Sequence, residues 1–117
     1  MVITGCGHPD LAALREMAGK IGTEKIYALV GGLHLPIKRG RMRKAGIDMQ
    51  RIIGTGLPPW QQPGGEELSR TVSLLKEINP ERVLLYPHDS SDFALNFISS
   101  KLTAKTDVLK SGDTFQL

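Results

Sequence analysis

The chain has 117 residues, 40% of them apolar, 23% charged and 5% aromatic, with a formal net charge of +3. That length suits one domain with an aliphatic core, and the mild basicity favours a small anionic ligand over the dense basic stripe of a nucleic-acid binder. The single cysteine, Cys6, excludes an intrachain disulfide and fits a reducing, cytoplasmic setting; no run approaches the ~20 apolar residues of a membrane span, so no membrane partner is expected.

In chain order, β-branched Val2-Ile3-Thr4 ends at Gly5-Cys6-Gly7 and predicts a short buried strand with a tight turn. A chain that opens on a core strand suggests a cut chain or an unusual gene boundary. Asp10 is placed to cap a helix in which Leu11, Leu14, Met17, Ala18 and Ile21 recur at helical spacing, stopped by Gly22. Lys25 to Val30 predicts a second strand, followed by Gly31-Gly32.

Residues 35–64 read as a long loop insert. They hold Pro36, Pro58, Pro59 and Pro63, with glycine at Gly40, Gly46, Gly54, Gly56 and Gly64. Loops of this length are functional or disordered far more often than idle. A short ordered piece is expected at Ile47 to Ile53. The insert begins with Lys38, Arg39, Arg41, Arg43 and Lys44, five cations in seven residues. Arginine pairs there could cradle a phosphate, although a solvated loop is the plainer reading. Trp60 either walls a ligand pocket or plugs the loop against the core.

Leu68, Val72, Leu75 and Ile78 predict a helix over 66–78, ended by Asn79-Pro80. Val83-Leu84-Leu85 predicts a buried strand. Phe93, Leu95, Phe97, Ile98 and Leu102 predict a further helix, capped by Ser90 or Ser91. Asp107 to Leu109 and Thr114 to Leu117 predict two strands around a hairpin turn at Ser111-Gly112-Asp113. The order β-α-β-loop-α-β-α-β-β argues for an α/β fold, a mixed sheet with flanking helices.

All three histidines follow a predicted strand: His8, His34 and His88. Loops at the carboxyl ends of strands form the binding crevice of α/β folds, and imidazole is a common ligand for divalent metals. Asp89 is a candidate to orient a ligating imidazole.

Gly5-Cys6-Gly7-His8-Pro9, Gly31-Gly32-Leu33-His34-Leu35 and His88-Asp89-Ser90 together resemble the later motifs of the metallo-β-lactamase superfamily. The similarity is nearest to its dihydropterin-ribofuranosyl-aminobenzene phosphate synthase-like branch, and it runs from Val2 to about Leu117. The resemblance implies that the chain is the C-terminal half of an αββα sandwich and a component of a metal-dependent hydrolase. It implies His8 and His88 as metal ligands and His34 as a catalytic or ligating residue. It implies a divalent cofactor, zinc first and then iron or manganese. Lys38, Arg39 and Trp60 are the substrate-binding candidates.

The sequence departs from that pattern in lacking His-x-His-x-Asp-His, which supplies most ligands and handles the nucleophilic water. A catalytic zinc takes three protein ligands plus water, so the isolated chain is expected to be inactive. Its implied partner is an N-terminal half or a second copy. The alternative reading is a non-catalytic, degenerate assembly module, with a homodimer formed through exposed apolar surface.

Overall fold

In the computed structural model the described residues are 1–5, 11–22, 25–38, 43–55, 58–88 and 90–116. The strands are β1 (Val2–Ile3), β2 (Ala28–Gly31), β3 (Arg43–Lys44), β4 (Ile47–Asp48), β5 (Arg82–Leu85) and β6 (Lys105–Val108). The helices are α1 (Leu11–Lys20), α2 (Met49–Thr55), α3 (Gly65–Ile78) and α4 (Asp92–Lys101). Four strands form one sheet in the order β1-β2-β5-β6, every pair parallel. Parallel neighbours need crossover connections, and α1, the insert with α3, and α4 supply them.

The pleat divides the sheet into two faces. Leu29, Val83 and Leu85 join the core cluster with Leu68, Val72 and Leu75 of α3 and Ala94, Leu95 and Ile98 of α4. The opposite face carries Ile3, Val30, Leu84 and Asp107, which stand in register across the four strands. Burial along that row is uneven: Leu84 is buried, whereas Ile3 is 69% exposed at the β1 edge. On α1 only Leu11 and Ala18 are fully buried. Met17 and Ile21 stay exposed, since the helix packs mainly against α3.

Helix ends follow the sequence signals. Gly22 takes φ 79° just past α1. Asn79 closes α3 in the left-handed region, its N–H donating to the Leu75 carbonyl. Ser91 caps α4, its side chain accepting from the Ala94 amide at 3.3 Å. The expected Asp10 cap lies outside the described residues.

The insert is more ordered than a plain loop. β3 and β4 pair antiparallel around Ala45-Gly46, which take φ 50° and 82°. Two successive positive φ values give the turn whose twist suits a two-residue hairpin. α2 then occupies most of the expected ordered piece at 47–53.

One expectation fails at the C-terminus. The described residues 114–116 form no strand, so the predicted hairpin at Ser111-Gly112-Asp113 is a turn without a returning strand. The Lys110 amide donates to Asp113 Oδ2 at 2.7 Å, which closes the turn locally. The tail then meets Arg82 instead of pairing alongside β6. The Arg82 guanidinium donates to the Gln116 carbonyl and lies 5.9 Å from the Phe115 ring centroid. Its other contact is Asp107, at 3.6 Å.

Candidate functional site

At the carboxyl edge of the parallel sheet, two of the three histidines follow their strands among the described residues. Gly31 pairs with Leu85 at the ends of β2 and β5. His34 and His88 each come three residues after that pair. β1 lies beside β2, and His8 follows β1 in sequence but lies outside the described residues.

This edge is closely tied beyond the strands themselves. The Thr4 amide donates to the Val30 carbonyl at 2.7 Å and the Gly32 amide to the Gly5 carbonyl at 2.9 Å. The Tyr86 amide donates to the Gly31 carbonyl at 2.9 Å. Gly31 takes φ 137°. A Cβ built on it would stand 2.1 Å from the Thr4 carbonyl oxygen. Only glycine lets β1 approach so closely, which gives Gly31 a physical reason.

His34 is half-buried and takes φ 52°, an uncommon conformation for a residue with a side chain. Such strain persists only when the surroundings fix it, and here two serines do so. The Leu35 amide donates to Ser90 Oγ at 3.1 Å, and the Leu35 carbonyl accepts from the Ser91 amide at 3.1 Å. Ser91 Oγ donates to the Ile37 carbonyl. Both serines are fully buried. They clamp the segment carrying His34 onto the start of α4, directly after the turn carrying His88. Their sequence signal was a choice of helix cap; only Ser91 caps, and Ser90 serves the neighbouring loop.

His88 is exposed, its ring stacked on Tyr86 with centroids 6.0 Å apart and planes at 16°. Lys38 takes φ 62° and places its ammonium 3.7 Å from the Phe93 ring centroid, a cation–π contact. Arg39 and Asp89 lie outside the described residues. Trp60 sits in a 3-10 turn (Pro59–Gln61) and is 81% exposed. It does not plug the loop against the core; the turn holds its backbone while the indole faces water.

Among the described residues, no three His, Cys, Asp or Glu side chains come together as metal ligands. The described donors at the edge are two imidazoles, fewer than the three protein ligands of a catalytic zinc. No catalytic step follows from these two alone.

No protein-family model matches the sequence, and no curated protein matches it. A solved structure does match in fold: Tm1679, described as a metal-dependent hydrolase of the beta-lactamase superfamily. The TM-score is 0.67 at 17% sequence identity, over 98% of this chain. The fold is similar to a metallo-β-lactamase-superfamily half-fold. The chain spans 35% of the Tm1679 chain, so the matched fold is one part of a larger unit. At that identity the likeness speaks for the fold alone. Among the described residues, no helix is long and apolar enough to cross a membrane.

Proposed function

We propose that this chain is part of a metal-dependent hydrolase of the metallo-β-lactamase superfamily. In this reading it contributes His8 and His88 to a divalent-metal site and presents His34 at the same edge. The observation that carries the reading is the register: His34 and His88 follow the paired residues Gly31 and Leu85 by the same number of positions. Parallel neighbours with equal overhangs bring their next loops to one edge. The Gly-Cys-Gly-His and Gly-Gly-Leu-His spacings favour the dihydropterin-ribofuranosyl-aminobenzene phosphate synthase-like branch.

A divalent metal held there would lower the pKa of a bound water and polarise a phosphoester or ester oxygen. The chain's own residues position. Ser90 and Ser91 hold the His34 segment, and Gly31 lets Thr4 and Gly5 at the end of β1 lie close to β2. Remaining donors would come from a further protein segment or a second chain. The sheet face opposite the helices, where Ile3 is exposed at the β1 edge, is the surface we assign to that contact.

A second reading, a non-catalytic assembly module that dimerises through the same face, is favoured by the shortfall of donors among the described residues. Elemental analysis of an untagged size-exclusion peak separates the two. Zinc, iron or manganese near one ion per chain, lost in a His8→Ala, His88→Ala double variant, is the expected result. A folded, metal-free dimer would replace the hydrolase reading with the module.

A further inference from the structure

A groove of about 440 Å³ opens where the insert meets α3 and α4. Its walls differ in chemistry. Ile37, Leu68, Phe93 and Phe97 supply an apolar side, and Lys38 and Arg51 supply two cations. Gly64 and Gly65 bring the start of α3 to the same space. The carboxylates of Glu66 and Glu67 are not among the lining groups.

Arg51 is the informative residue. It is half-buried on α2, and its Nε is shielded from solvent with no hydrogen-bond partner. Its backbone amide bonds Asp48 Oδ1 at 3.3 Å, yet the guanidinium makes no ion pair among the described residues. That Nε is closed off from the groove, and the terminal guanidinium nitrogens, which are not among the shielded atoms, are the donors Arg51 can offer to its lining. Lys38 likewise has no carboxylate partner among the described residues; its ammonium rests on Phe93 at the rim. At the third side, α3 is 14 residues long and begins at Gly64 with no side-chain cap. Its first amides therefore have no intrahelical acceptor, and their end of the helix carries partial positive charge.

We propose that this groove binds a small organic oxyanion. Its charged head would lie between Arg51, Lys38 and the first α3 amides, and its apolar body on Phe93 and Phe97. Guanidinium and helix-start amides suit a phosphate or a carboxylate head alike. The aromatic side disfavours a bare inorganic ion, which would leave that surface wet. The site rests on no metal ligand, so it stands or falls apart from the hydrolase reading.

The test is an amide-shift titration of the 117-residue chain in EDTA, with butyl phosphate, hexanoate, inorganic phosphate and 1-butanol as probes. At least one of butyl phosphate and hexanoate should saturate shifts at Gly65, Glu66 and Glu67. The tighter of the two identifies the head group. Inorganic phosphate should bind about tenfold more weakly than butyl phosphate, from the lost apolar contact. A Lys38→Gln, Arg51→Gln double variant should weaken binding at least about tenfold. Lys38→Gln alone alters only an exposed side chain and should weaken binding in the same direction. The proposal is overturned if neither anion saturates, if 1-butanol binds as tightly, or if Lys38→Gln leaves binding unchanged.

Discussion

Replacing Gly31 with alanine tests the geometry on which the site depends. The new Cβ would meet the Thr4 carbonyl oxygen at 2.1 Å and Thr4 Oγ1 at 2.2 Å. Both contacts are far inside van der Waals range, and the nearer one is backbone, which cannot swing away. Two costs add. Holding a side chain at φ 137° costs about 1–3 kcal/mol, and forcing atoms into a filled space costs about another 1–3 kcal/mol. The chain can escape only by moving β1 off β2, which breaks the bonds of Thr4 and Gly32 at about 1 kcal/mol each. The net expectation is a loss of about 3 kcal/mol. With a urea slope of about 2 kcal/mol/M, the unfolding midpoint should fall by about 1.5 M. Gly19→Ala is the matched control. It lies in α1, where an added Cβ would meet open space, and should gain about 0.5–1 kcal/mol from helix propensity. A Gly31→Ala midpoint within about 0.3 M of the parent would refute the claim that close approach of β1 requires glycine.

Other substitutions have definite expectations. Ser90→Ala leaves the buried Leu35 amide without its acceptor and should cost about 1–3 kcal/mol by chemical denaturation; a loss below about 0.5 kcal/mol would mean the clamp does not hold the His34 segment. Ala45→Gly relieves a positive φ in an exposed hairpin turn and should raise stability by about 0.5 kcal/mol, so a lowered Tm would count against the turn geometry. Lys25 has its pKa raised, first by its 2.9 Å hydrogen bond to Glu81 and then by the charge of that carboxylate. The raised folded value means this contribution is full below the ordinary lysine pKa and is lost as pH rises through the folded value. Glu81→Gln should therefore lower the Lys25 side-chain titration midpoint measured by NMR, and an unmoved midpoint would remove Glu81 as the cause.

Much of the architecture is legible in local pattern. The stripe of Leu68, Val72 and Leu75 marks α3, and Val83-Leu84-Leu85 marks a strand buried on both faces. Asn79-Pro80 and Gly22 mark where helices must end. These signals are local, and so they survive without knowledge of the fold. The tail departs from its local pattern for the opposite reason. A Ser-Gly-Asp turn specifies a reversal, but whether a strand returns depends on what the tail meets, and Arg82 is distant in sequence. α1 shows the same limit, since helical spacing alone does not reveal that Met17 and Ile21 lie on a side no neighbour covers. At the site, the strand-end histidines stood out because each follows a strand signal. Ser90 and Ser91 read as two alternatives for one cap, whereas the fold uses both, one on the helix and one on a loop more than fifty positions away. Arg51 gives no signal in the sequence: what singles it out is a guanidinium with no ion pair among the described residues, which only the packed structure reveals.

The central pairing of Leu29 with Val83 joins segments on either side of the whole insert and α3. The entropy of closing that connection grows only slowly with its length, at about 0.6 kcal/mol per doubling. Residues could be added to or removed from the β3–β4 hairpin region at small thermodynamic cost to the sheet. Folding speed would respond more, since long-range parallel pairing is slow to nucleate. The insert is thus the part of this chain whose length can change at least cost to the sheet, while the strand ends that flank it are held by contacts such as the close approach of Gly31 to Thr4.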